Sequence, residues 1–181
     1  MNYKERINKI IKDNKMNSNV SEALNRMYEY LVNKQWWGAC HACSSILYVV
    51  LTELGLDPKI CVGEVKVNST YFDHSWIEIS NKVVDLAICM TLEQGNPASA
   101  PIIMNINVET NNNHDIDYGI YLQGLDNDAQ VFYRSNFLDY MNNYPYRKNG
   151  LWDVVNDILE NKIDIEKSKL KYKNVKKKYR G

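Results

Sequence analysis

A helix-forming apolar stretch over 38–54 stops at Gly55 and gives way to three segments of period two, and this switch constrains the fold more than any other feature of the chain. Ile46, Leu47, Val50, Leu51 and Leu54 follow the spacing of one buried helical face, with Gly55 as a C-terminal stop and Pro58 just beyond it. That helix belongs in the core. Residues 59–67 (KICVGEVKV), 71–79 (YFDHSWIEI) and 82–88 (KVVDLAI) are rich in β-branched and aromatic residues, with Asn68-Ser69 and Ser80-Asn81 between them, which predicts an antiparallel meander. Upstream, 3–13 and 19–33 read as helices, the second opened by Asn19 and Glu22 as a variant capping box. Downstream, 90–101 reads as a loop, 102–107, 117–123 and 129–134 as weaker strands, Ser135 as the cap of a short helix, and Leu151, Val154, Val155, Ile158 and Leu159 as one face of an amphipathic helix. The expected class is α+β, a nucleus of helix on antiparallel sheet with further helices at both ends.

A chain of 181 residues is one domain's worth, enough to bury roughly two thirds of its unfolded surface and to enclose a cavity. Its N-terminus, MNYKERINKIIKDNK, intersperses charges among single apolar residues and reads neither as a signal peptide nor as a span; no later run reaches the roughly 18 apolar residues a spanning helix needs, so a soluble cytoplasmic protein is expected. The net charge of zero conceals an asymmetry. From Glu166 onward eight basic residues face one acid, a net of +7, so residues 1–165 carry −7. The reading is one domain over 1–165 and a basic tail over 166–181 that lies on the acidic body or meets an acidic partner; nucleic acid is not expected.

The stretch Trp36-Trp37-Gly38-Ala39-Cys40-His41-Ala42-Cys43 raises three chemistries. A redox C-x-x-C of the thioredoxin kind needs a strand entering the motif, and here a long helix precedes it. A zinc site would need partners for Cys40, His41 and Cys43, yet Cys61 and Cys89 sit singly in apolar segments, and no second paired motif exists. Asp115, Asp117, Asp126 and Asp128 match no calcium loop. No metal or cofactor is expected.

The third chemistry is a single working thiol. A cysteine in the first turn of a helix has its thiolate favoured by the helix dipole and by unpaired N–H groups, and it then needs a base. His41 follows Cys40 on the same helix and is expected to point about 100° away from it, and His114 lies in an Asn-rich loop, which leaves His74. If Ser80-Asn81 is a two-residue hairpin turn, Ile79 pairs with Lys82, His74 falls opposite Ala87, and Asp85 becomes its diagonal neighbour on the same face, about 7 Å away between Cβ atoms. An acid between Val84 and Leu86 needs such a partner.

Gly38-x-Cys40 opening a helix, Gly55 fifteen residues after the cysteine, His74-x-Trp76-x-Glu78 in a strand and Asp85 in the next together resemble the transglutaminase-like cysteine hydrolases and transferases, over residues 36–88. The resemblance implies a papain-type core, with Cys40 as nucleophile, His74 as general base and acid, and Asp85 as the group that orients the imidazole. It implies oxyanion donors from the Cys40 N–H and from Gln35, Trp36 or Trp37. The spacing to Gly55 fits Cys40 and not Cys43; Trp76 is expected to be a packing wall and Glu78 half of an ion pair. The implied function is acyl transfer from an amide through a Cys40 thioester, resolved by water in a peptidase, amidase or deamidase, or by an amine in a transglutaminase-type cross-linker, with hydrolysis favoured. Small bacterial proteins of this kind cleave leader peptides, so a protein or peptide substrate is expected. Arylamine acyltransferases use the same three residue types in longer chains. The alternative is an inactive binding module of the same fold that uses an aromatic cleft and the basic tail.

Overall fold

The computed structural model describes residues 2–92 and 97–181, so residues 93–96 of the expected loop lie outside the described residues. Three helices come first, α1 (Tyr3–Asp13), α2 (Ser18–Asn33) and α3 (Cys40–Glu53). The capping box belongs to α1, where Asn2 and Glu5 satisfy each other's backbone N–H groups; α2 starts earlier than expected, capped by Asn17 rather than Asn19. Helix α3 is buried on nearly all sides, and Gly55, at φ 84°, ends it.

Strands β1 (Pro58–Val67), β2 (Thr70–Ile79) and β3 (Lys82–Asp85) form the expected meander, the third ending at 85 rather than 88, and β4 (Ile102–Ile103) and β5 (Ile106–Asn107) extend it in the order β5-β4-β3-β2-β1. Ser80 and Asn81 both have positive φ, 50° and 62°, which is the geometry of a two-residue hairpin turn, and Ile79 pairs with Lys82. The expected turn and its first pairing are present, and the ladder runs from there to Ile77–Val84. One face of the sheet presents Ile60, Val62, Ile77, Ile79 and Val84 to α3 and the other helices; the opposite face gathers Cys61, Val65, Trp76, Val83, Ile88 and Ile102 into a second core.

The outer edge of β1 is shared by two strands: β6 (Asp117–Ile120) runs antiparallel against Glu64–Lys66, and β7 (Lys178–Arg180) runs parallel against Cys61–Gly63. The sheet is therefore not purely antiparallel. Gly63 permits this crossing, because a Cβ there would come within 2.0 Å of the Arg180 carbonyl oxygen. Residues 166–181 are part of the body: α7 (Ile165–Tyr172) is held by Tyr172 and Lys171 bonding to Glu53, the Lys177 ammonium is buried against the Ser135 carbonyl at 2.7 Å, and Arg180 pairs with Glu78.

Two further sequence expectations give way. Residues 129–134 are not a strand but the body of α4 (Asn127–Arg134): Asp126 caps it by accepting the Ala129 N–H at 2.8 Å, and Ala129 and Phe132 bury one face at helical spacing. Ser135 ends α4, and Asn136 caps the next helix, α5 (Phe137–Asn142). Helix α6 (Leu151–Ile158) packs its expected apolar face into the core beside α3. Among the described residues no helix is long and apolar enough to cross a membrane.

Candidate active site

Strand β3 leaves the sheet after Asp85, where the chain turns through a short 3-10 segment, Ala87–Cys89. Ala87 therefore never pairs with His74 in the ladder, which stops at Ile77–Val84. The gap left beside β2 receives the start of α3, fastened there by a bond from the Gly38 N–H to the Met90 carbonyl at 2.8 Å. Gly38 takes a positive φ of 68°, which turns the chain into the helix one residue before Ala39. Ala39 has no side chain to cap the helix, so Cys40 occupies the first helical position with the positive end of the dipole behind it.

His74, Cys40 and Asp85 come together at this point. His74 Nε2 and Asp85 Oδ2 are 2.8 Å apart, with side chains 2% and 1% exposed. Since Nε2 is taken, Nδ1 is the ring nitrogen left for the sulfur; His74 lines the same cavity as Cys40 and is among the groups that lower its thiol. Asp85 accepts twice more, from the Tyr118 hydroxyl at 2.8 Å and from the Ile88 N–H at 3.1 Å. Tyr118 comes from β6, is partly buried, and lies tilted against Trp76, ring centroids 5.0 Å apart, so the carboxylate, the phenol and the indole pack as one block. Trp76 is buried, and its indole N–H reaches Glu78, which pairs with Arg180.

This arrangement separates charge. Burial alone would push the Cys40 thiol up, but hydrogen bonds from His41 and His74 and the charge of His74 bring it down to about 5. Burial opposes the charged form of His74, and the Asp85 carboxylate outweighs it, helped by Cys40, so that the imidazole is raised to about 10. The other three thiols move the opposite way: burial drives Cys43 well above its ordinary value and, with nearby carboxylates, takes Cys61 and Cys89 to about 12. Burial first, then Asp85, lifts Tyr118 well above the usual range and keeps it a neutral donor.

Cys40, His41 and His74 line a cavity of about 530 Å³. Val67, Phe72, Met90 and Leu92 contribute apolar wall, and Asp73, Asp126 and Asp128 contribute carboxylates. Gln35, Trp36 and Trp37 are elsewhere: they line a separate groove with Tyr144 and Tyr146, where Trp36 packs on Tyr144 at 5.3 Å. The structure does not bring them to Cys40. Cys43, one turn into α3, is buried in the core.

His41 does not point away from the thiol. Its Nδ1 lies 3.7 Å from Cys40 Sγ and 2.7 Å from Ser75 Oγ. Helical side chains lean toward the N-terminus, and Nδ1 is the ring nitrogen nearest the backbone, so in the first turn it swings back toward the preceding sulfur. The angular spacing of neighbouring positions concealed this. No protein-family model matches the chain, and no curated protein or solved structure does either.

Proposed function

We propose that the protein is a transglutaminase-like cysteine hydrolase with a papain-type core, acting on an amide of a protein or peptide through a thioester at Cys40. The observation that carries this reading is the buried 2.8 Å bond from His74 Nε2 to Asp85, with His74 lining one cavity together with a thiol at the first position of a helix. The order of elements supports it too, a nucleophile helix followed by strands that carry first the histidine and then the acid.

The cycle follows from the charges. The Cys40 thiolate attacks the substrate carbonyl carbon, a C–S bond forms, and the carbonyl electrons move to oxygen. The Cys40 N–H, at the start of α3, is the backbone donor for that oxyanion. Imidazolium at His74 then gives its proton to the departing amine as the C–N bond breaks, leaving a thioester and a neutral imidazole. Water enters the cavity, His74 takes its proton, hydroxyl adds to the thioester carbon, and collapse releases the acid and the thiolate. Asp85 fixes the ring and balances its charge in both halves.

p-Nitrophenyl acetate, a generic acyl donor, tests the reading without knowledge of the natural amide. The expected result is a burst of one nitrophenolate per chain, with an acetyl group located on Cys40 by mass spectrometry and then released by water. Ester turnover that is unchanged in Cys40→Ala overturns it.

A further inference from the structure

We propose that His41 is a second histidine of the site, a positioning residue whose Nδ1–H holds the Cys40 thiolate alongside His74; the proposal rests on the acyl-transfer reading of Cys40. Its ring is fixed on two sides. Ser75, the residue after His74 and on the opposite face of β2, places Oγ 2.7 Å from Nδ1, while Phe132 of α4 stacks on the ring at 4.2 Å and 13°. Phe132 is itself held, edge-on by Tyr140 of α5 at 4.7 Å and from above by the Lys177 ammonium at 4.7 Å. An imidazole ordered by three elements of the fold, with one nitrogen 3.7 Å from the sulfur, is placed to share one N–H between Ser75 Oγ and Cys40 Sγ.

The two histidines then have different tasks. His74 gives up its proton to the leaving amine, so its hold on sulfur changes through the cycle. The His41 N–H is not consumed, and it is still present to receive the thiolate when the thioester breaks. Among the described residues, the other titratable groups around the sulfur include Tyr140 of α5 and Cys43 of α3, with Asp73, Asp126 and Asp128 on the wall of the same cavity, Asp85 behind His74 and Lys177 behind Phe132. Burial raises both the half-buried Tyr140 and the buried Cys43, so neither competes as a charge near neutrality.

The test is the ultraviolet absorbance of the thiolate followed across pH, as the difference between each protein and its Cys40→Ala counterpart. His41→Phe keeps an aromatic ring to stack on Phe132 but removes the donor; the ionisation midpoint of Cys40 should rise by about one pH unit, about ten-fold less thiolate below it. His41→Asn, whose amide nitrogen stands where Nδ1 stood, should restore most of that shift. An unchanged midpoint in His41→Phe, or equal shifts in Phe and Asn variants, overturns the role of His41 while a shift in His74→Ala leaves the acyl-transfer reading standing. A protein in which Cys40 forms no thiolate below about pH 8, the ordinary thiol range, overturns both.

Discussion

His74 Nε2 lies 2.8 Å from Asp85 Oδ2, and the Tyr118 hydroxyl lies at the same 2.8 Å from that oxygen, so the carboxylate that holds the imidazole is itself held from the far edge of the sheet. Replacing Tyr118 by Phe removes one of three donors to a buried carboxylate. A stability loss of about 1–3 kcal/mol is expected, read as a lower midpoint in urea unfolding with an unchanged slope. Asp85→Asn should preserve the packing better, yet lower ester turnover by about two to four orders of magnitude, because a neutral amide no longer balances the imidazolium.

The pH profile follows from the ion pair. The thiolate forms as pH rises through about 5, and the imidazolium is lost as pH rises through about 10, so the competent pair exists between those values. Acylation rates with p-nitrophenyl acetate should climb on the acid side near 5 and fall on the alkaline side near 10. A single limb centred in the ordinary thiol range, about 8.5, would contradict the pairing.

The two neighbouring cysteines should part company on mutation. Cys43 fills core space one turn inside α3, so Cys43→Ala should cost about 1–2 kcal/mol in unfolding and leave turnover intact. Cys40→Ala should do the reverse, abolishing turnover with little change in unfolding midpoint.

How far the sequence reached is clearest around these residues. The meander and its register were legible because Ser80-Asn81 allows one tight turn, and that turn alone sets Asp85 diagonal to His74. Tyr118 was not legible: it sits in a four-residue strand whose partner, β1, lies some fifty residues upstream, and no local pattern announces such a pairing. Helix α4 was missed because Val131, Phe132 and Tyr133 suit a strand, while the cap at Asp126, which decides the matter, lies before them. The tail was read by charge, and charge does not reveal that Gly63 leaves a bare backbone for β7 to cross.

That crossing is itself testable. Gly63→Ala sets a Cβ 2.0 Å from the Arg180 carbonyl oxygen and 3.3 Å from the Trp76 ring, and backbone must move. The C-terminal strand should detach, uncovering the buried Lys177 and freeing the backbone around it for trypsin, so cleavage there should be much faster than in the parent protein. Equal cleavage rates would show that β7 is held by something other than the edge of β1.

Alkylation with iodoacetamide at about pH 6, mapped by mass spectrometry, bears most directly on the central claim, because that pH lies above the ionisation of Cys40 and far below that of Cys43, Cys61 and Cys89. The account predicts rapid modification confined to Cys40 and lost in His74→Ala; slow, equal modification of all four cysteines would contradict it.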